Sequence, residues 1–330
     1  MLPWMAGIAL MLVKLLIVLV GLLLTSAYLV YGERKLLGRL QVRLGPNRAG
    51  PFGLLQPVAD IVKLLTKEDT VPEGADRFIF KFAPAVVAAS ALLIFAVVPF
   101  GRGLTFGGQE IPLVVSDLNV GLLYVLALSA ISVYGVALGG WASNNKYSLL
   151  GGIRGVAQLI SYEVSLGLSL VPVVMLARSF SLVDIVQAQE KYPFILLAPL
   201  SFLIFFISAL AEIKRIPFDL PEAENELVAG YHTEYSGMRF GLFFLGEYVT
   251  MVVLGALTAA FFLGGWRGPW LPPFIWFAVK VLGVVFFMIW IRGTLPRLRY
   301  DQLMQFGWKA LVPLSLLNII ITGGVMLALG

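Results

Sequence analysis

Eight stretches of this sequence run for about twenty residues or more with at most one charge apiece, and nothing else constrains the fold as strongly. Met5–Tyr31 holds only Lys14, Gly155–Ala177 only Glu163, Phe240–Trp266 only Glu247 and Pro269–Ile291 only Lys280. Phe82–Phe100, Leu118–Ala142, Tyr192–Ala211 and Ala310–Gly330 hold none. A helix needs about 20 apolar residues to cross a bilayer. The sequence therefore predicts an all-α integral membrane protein with eight transmembrane helices. They cover about 5–31, 82–100, 118–141, 156–177, 192–212, 240–264, 272–292 and 309–329. Barrel strands would alternate apolar and polar residues over about ten positions, and no such alternation appears. Charged residues make up 13% of the chain, roughly half the share usual in a soluble domain.

The loops orient the helices. Eighteen Lys and Arg fall in the odd-numbered loops, against Arg102, Arg178, Lys191 and Arg267 in the even-numbered ones. The positive-inside rule puts the odd loops in the cytoplasm and both termini outside. The first run is too long for a signal peptide, and its basic cluster follows it, so it reads as a retained span. The whole of 1–330 reads as a single polytopic membrane domain. The net charge of +5 is loop charge facing anionic headgroups and needs no nucleic acid to explain it. Without cysteine the chain alone holds no iron–sulfur cluster, and its one histidine, His232, excludes a bis-His haem.

In the first cytoplasmic loop, Leu54, Leu55, Val58, Ile61, Val62 and Leu65 recur at helical spacing, with Asp60, Lys63, Lys67 and Glu68 between them. This pattern predicts an amphipathic helix lying in the membrane interface. Two readings stand beside each other: a surface anchor, or the floor of a lipid-accessible cavity. The outer segment 101–117 is long enough for a small surface turn.

Five charges lie within or at the edge of apolar runs: Lys14, Glu163, Glu212, Glu247 and Lys280. Ionisable groups in a membrane are costly, which makes each a functional candidate. Lys14 reads as structural, reaching water or a partner. Lys280 would face the bundle and pair with Glu163 or Glu247. A buried carboxyl has a raised pKa that a nearby cation lowers again, so a row of them can relay protons. The third cytoplasmic loop, RIPFDLPEAENELVAGYHTEYSG at 215–237, is the densest constellation. Asp219, Glu222, Glu224, Glu226 and Glu234, with Glu212 just before, face Lys214, Arg215 and Arg239. Glu222 and Glu226 would share a helical face and repel unless one is protonated or paired. A solvated loop with acids in a helix first turn competes with this reading. Gly101-Arg-Gly103-Leu-Thr-Phe-Gly107 is one residue too long for a dinucleotide fingerprint, and no phosphate loop, His cluster or nucleophile elbow is present.

At its loops the chain resembles the family of the NADH-quinone oxidoreductase H subunit, a membrane component of respiratory complex I. The strings that carry the resemblance run in order from about residue 28 to 309. They are GERKLLGRLQVRLGPNRAGPFGLLQPVADIVKLLTKED (32–69), GWASNNKYSLLGGIRGVAQLISYEV (140–164), AEIKRIPFDLPEAENELVAGYHTEYSG (211–237), GEY (246–248), FLGGW (262–266) and WIRGTLPRLRYDQL (290–303). The resemblance implies a quinone, ubiquinone or menaquinone, as substrate. It would pass from the membrane between the first span, the interfacial helix and the sixth span toward an iron–sulfur cluster held by neighbouring soluble subunits. Family positions along that passage fall on Glu33, Arg34, Ala59, Asp60, Arg215, Phe218 and Arg292. Asp219, Glu222, Glu224 and Glu226 match a loop thought to couple quinone chemistry to protons. Glu163, Glu212 and Glu247 match buried carboxylates leading toward antiporter-like subunits, with Lys280 grouped among them. Some relatives carry a glutamate where this chain has Ala130, so its path would start from Asp219 and Glu212 or from water.

The expectation is thus a subunit of a redox-driven proton translocase in a bacterial inner membrane. Its partners would be peripheral-arm quinone-site and iron–sulfur subunits, small membrane subunits, antiporter-like subunits and lipid, with no metal, flavin or iron–sulfur cluster of its own. Two alternatives stand beside it: the anchor of a membrane-bound hydrogenase or formate hydrogenlyase, and an independent ion transporter. The chain shows no clear internal repeat of the kind many transporters carry.

Overall fold

A computed structural model describes the backbone of residues 3–106 and 109–329. The side chains of 3–7, 9, 102, 104–106, 109–111, 224, 225 and 329 lie outside the described set. Thirteen α-helices follow one another among the described residues. They are α1 Pro3–Leu40, α2 Gln56–Thr66, α3 Arg77–Ile94, α4 Gly121–Ala142, α5 Lys146–Ala177, α6 Leu182–Ala188, α7 Phe194–Leu197, α8 Pro199–Glu212, α9 Glu224–Leu227, α10 Gly237–Phe262, α11 Pro273–Thr294, α12 Tyr300–Gln305 and α13 Val312–Leu329. A π-helical turn, Phe306–Leu311, joins α12 to α13.

Seven helical segments are long and apolar enough to cross a membrane, with α12, the π-turn and α13 acting as one. The eighth apolar run is divided: Ala198, with φ −133° and ψ 59°, interrupts the helix just before Pro199. The resulting α8 spans roughly 21 Å at 1.5 Å per residue, against a hydrocarbon thickness of about 30 Å. The protein is helical through its membrane segments, as the apolar runs require. One departure from the all-α expectation is local. β1 (Gly101–Phe106) and β2 (Gln109–Leu113) form an antiparallel hairpin between α3 and α4, where a plain turn was expected. A two-stranded pairing satisfies the backbone of a segment that carries no helical period.

Two helices extend well past their apolar runs. α1 continues to Leu40, which places Glu33 and Arg34 on helix rather than in a loop. α5 begins at Lys146, capped by the Asn145 side chain accepting from Tyr147 N at 2.8 Å. It therefore absorbs the glycine-rich Gly151–Gly155 stretch. Those glycines sit at close approaches. A Cβ on Gly151 would meet Tyr231 N at 2.6 Å, and one on Gly140 of α4 would meet the Ser148 carbonyl at 2.6 Å and Gly152 Cα at 3.0 Å. Membrane helices associate through such small residues because lipid supplies no hydrophobic force between them.

α10 is the central element. Every residue from Met251 to Phe262 is buried among α3, α8, α11 and their neighbours. α1 is the opposite case, leaving Leu12, Leu16 and Ile17 more than half exposed. The apolar face of α2 is exposed too, with Val58, Val62 and Leu65 above half. Its other side meets α10, where Leu64 lies 3.2 Å from the position a Cβ on Gly241 would take.

Gly140→Leu is expected to push α4 from α5, at about 1–3 kcal/mol for an overpacked contact. A lowered thermal midpoint of the detergent-solubilised protein checks this, and an unchanged midpoint contradicts the close approach.

Candidate functional site

The C-terminal end of α1 meets α10, α11 and the loop after α8 in a cluster of buried charges. Arg215 stands at its centre, its side chain 8% exposed. Its Nη1 donates to Glu33 Oε2 at 2.5 Å, and its Nε donates to Glu247 Oε1. Arg292, from the last turn of α11, donates to the other oxygen of Glu33. The Tyr248 ring lies 4.2 Å from the Arg215 guanidinium, a cation–π contact beside the two carboxylates. Four elements far apart in sequence thus supply two acids and two bases to one pocket. Burial opposes the charge on Arg215, but Glu247 and Glu33 hold its pKa well above the usual value.

The loop 213–236 is tied down around this cluster. Gln158 on α5 donates from one amide nitrogen to the carbonyls of Ala211 (2.8 Å) and Phe218 (2.7 Å). Arg297, just past α11, donates to Asp219 Oδ2 at 2.6 Å, and Leu298 N donates to Pro217 O. Phe218 is buried against Tyr162, ring centroids 5.5 Å apart.

Glu222 and Glu226 do not share a helical face, contrary to the sequence expectation. α9 begins only at Glu224, so Glu222 precedes it and the two diverge. Glu226 pairs with Arg154 of α5 at 2.6 Å. Glu222 turns inward, 3.4 Å from the Tyr231 hydroxyl and 3.9 Å from His232 Nδ1. The Glu224 side chain lies outside the described residues. Burial, and then the charge of Glu247, push the Glu222 pKa up to about 8, against the pull of Lys214. Burial takes His232 down to about 4. Both groups are therefore uncharged at neutral pH, which removes the repulsion expected among these acids.

Behind the charge cluster lie the remaining carboxylates. Glu212 closes α8 and is buried. It borders a cavity of about 20 Å³ with Glu247 and Lys214, and a second of about 30 Å³ with Ser129 and Thr250. Glu163 accepts a hydrogen bond from Ser129 at 3.2 Å. Lys280 does not pair with either glutamate. Its ammonium donates to the carbonyls of Leu263 (2.6 Å), Gly265 (2.9 Å) and Arg267 (2.6 Å). These carbonyls cluster beyond the C-terminus of α10, where the helix dipole favours a cation. Lys14 likewise finds a backbone acceptor, the Pro112 carbonyl at 2.8 Å.

Arg34, Ala59 and Asp60 stand apart from the buried cluster. Arg34 pairs with Asp60 of α2 at 2.8 Å, and Ala59 is exposed. Tyr31 donates to the Phe52 carbonyl at 2.7 Å, so two contacts hold α2 and its lead-in loop to α1. Next to them an open groove of about 610 Å³ runs between α1 and α11, lined by Leu29, Leu36, Phe52, Phe286 and Ile289, with Lys35 and Arg39 beside it. Sequence reasoning missed Arg297, Tyr248, Gln158 and Arg154. All four lie inside recognised strings, Arg154 and Gln158 in the one at 140–164, Tyr248 in GEY and Arg297 in WIRGTLPRLRYDQL, so the signal was present but undivided.

Arg215→Leu leaves Glu247 without its cation, whereas Glu33 retains Arg292. The single substitution is expected to cost about 3–5 kcal/mol, and Arg215→Leu with Glu247→Leu clearly less. Heat stability of the purified membrane subcomplex measures both, and a double variant no better than the single one refutes the pairing. A carboxyl whose folded pKa is raised favours folding most at low pH. Its contribution falls as pH climbs from the unfolded value near 4.5 to about 8. Glu222→Gln is therefore expected to flatten a decline in thermal midpoint across that window, and an unaltered profile argues against the shift.

Known proteins resemble this chain from end to end. A family model described as NADH dehydrogenase matches residues 13–323. The NADH-quinone oxidoreductase H subunit numbered 2 in Syntrophobacter fumaroxidans is 72% identical over 330 residues, covering 100% of both chains. The H subunit numbered 1 in Geobacter metallireducens is 64% identical over 327 residues, 99% of each chain. The corresponding H subunit of Syntrophotalea carbinolica is 61% identical over 313 residues, 95% of each. With a family model spanning nearly the whole chain and relatives alike throughout their length, the chain belongs to the family of the NADH-quinone oxidoreductase H subunit.

Proposed function

We propose that this chain forms the membrane side of the quinone site in a bacterial proton-translocating NADH-quinone oxidoreductase and passes the protons of quinone reduction into a row of buried carboxylates. The observation that carries this reading is the Glu33–Arg215–Glu247 cluster, which joins the cytoplasmic end of α1 to a helix leading inward to Glu212 and Glu163. The protein crosses the inner membrane eight times, counting α8, with both termini outside and the loops of α2 and α9 on the cytoplasmic face. α2 lies in the interface, its exposed leucines and valines toward lipid or partner.

Reduction of a quinone to quinol takes two electrons and two protons. The electrons come from partner subunits, since this chain supplies no cysteine. The apolar groove by Phe52 suits an isoprenoid tail, and Arg34, Arg215 and Arg292 offset negative charge near the headgroup. Glu222, its pKa pushed up to about 8, is a proton source within the loop. Asp219 is also raised by burial, though Arg297 pulls it back. A proton lost to the quinone leaves a carboxylate that draws on its neighbours, and the cations set which carboxylate holds the charge. Each proton moved outward against 100 mV costs about 2.3 kcal/mol, which a loosely connected site could not recover. Lys280 serves this scheme by pinning the far end of α10, which carries Glu247. Every relative named above bears the oxidoreductase name, so nothing favours a hydrogenase anchor or an independent transporter.

In inverted vesicles holding the assembled enzyme, Glu163→Gln with Glu247→Gln is expected to lower quinone-coupled proton uptake at least about tenfold. Arg34→Ala is expected to depress quinone reduction while NADH oxidation by an artificial acceptor persists. Unchanged proton uptake in the carboxamide variant rules out the relay.

A further inference from the structure

Glu163 lines neither of the two cavities that surround Glu212. What reaches it from them is one hydroxyl. Ser129 of α4 borders the 30 Å³ cavity, and its Oγ lies 3.2 Å from Glu163 Oε1. Ser132, one turn on, borders both cavities, as does Thr250 of α10. Each cavity is large enough for about one water molecule, and each offers it the two or more polar partners that a buried water requires. Polar side chains from four helices, Ser90 of α3 among them, therefore converge on a space that is otherwise walled by Ala, Val, Leu and Ile.

We propose that the Ser129 hydroxyl is the proton-carrying link between water beside Glu212 and the carboxylate of Glu163. The inference rests on the carboxylate relay proposed above and names the group through which Glu163 is reached. A hydroxyl has one donor and two acceptor positions, so it can give and take a proton in the same exchange. With Glu163 ionised, Ser129 donates to Oε1. A carboxyl proton of Glu212 passes to the cavity water, which gives one of its own to Oγ as the hydroxyl gives its proton to Oε1, so the water is restored and Glu212 ends ionised. One O–H bond forms and one breaks at Oγ, Glu163 ends protonated, and no electron moves. The reset is also in the structure. The Leu126 carbonyl lies 3.2 Å from the same Oγ, and it receives the hydroxyl once Glu163 has become the donor. Ser132 donates to the Ser129 carbonyl at 2.7 Å, which fixes the turn of α4 that presents both hydroxyls.

Bonding to a carbonyl one turn back is common for a helical serine, and a purely local role would need nothing from Glu163. The two are separated in the assembled enzyme in inverted membrane vesicles. Ser129→Ala is expected to slow quinone-coupled proton uptake about tenfold, in keeping with loss of a positioned proton carrier. Ser129→Thr, which restores a hydroxyl, is expected to recover most of it. Thr250→Val, isosteric and on a different helix, is expected to cause a smaller loss in the same direction. Full uptake in Ser129→Ala, with Glu163→Gln still impaired, overturns the hydroxyl link and leaves the carboxylate relay standing. Full uptake in Glu163→Gln as well overturns the relay itself. Failure of Ser129→Thr to recover function shows that packing, not the hydroxyl, was lost, and also overturns the proposal.

Discussion

A guanidinium removed from water must be paired on more than one side, and Arg215 meets that demand with Glu33 and Glu247 from two different helices. Everything around the C-terminal end of α1 follows from this. Glu33 in turn takes Arg292 from α11, so three membrane helices and the loop after α8 are fixed by one set of charges. Neighbouring apolar packing could not impose the same geometry, since lipid competes equally for apolar faces. Ion pairs are directional, and here each partner is bound in a stated orientation. The Tyr248 ring lies 4.2 Å from the guanidinium and adds a cation–π contact to the two ion pairs.

Depth separates these charges from the rest. Arg34 and Asp60 also pair, but Arg34 is 45% exposed, and a bond so open to solvent contributes about 1 kcal/mol at most. It suits a contact that yields when something passes between α1 and α2. The Arg215 cluster suits the opposite role, that of a fixed point against which protonation changes in the surrounding loop are felt. Glu222 and His232, both neutral at pH 7, stand between these two regimes.

The helices were readable because hydrocarbon imposes a length and a composition on whatever crosses it, and both are local properties of sequence. Their ends were less so. α1 runs through Glu33–Arg39 and α5 begins before Gly151, where charge and glycine break the apolar pattern without breaking the helix. The candidate site residues stood out in the sequence as groups of charge, but their partners did not. Glu33 and Arg215 are 182 positions apart, and no periodicity links them. Lys280 illustrates the limit: a lone lysine in an apolar run invites a carboxylate partner, yet three backbone carbonyls satisfy it. Backbone acceptors leave no trace in side-chain composition. The role of Ser129 was equally hidden, because a serine among many in α4 becomes distinctive only when a cavity and a carboxylate meet at it.

The shortness of α8 bears on how the protein tolerates its bilayer. A helix shorter than the hydrocarbon layer ordinarily thins the lipid around it or tilts its neighbours. α8, however, is enclosed on one side: Ser201, Ile204, Phe205, Ser208 and Ala209 are all fully buried. Its other side, with Leu203 50% exposed, stays open, so only part of the mismatch is absorbed by protein. Changes in acyl-chain length would register instead at α1 and α13, the outermost and most lipid-bathed helices. The carboxylate that ends α8, itself buried, is tied to its protein neighbours rather than to the thickness of the surrounding layer.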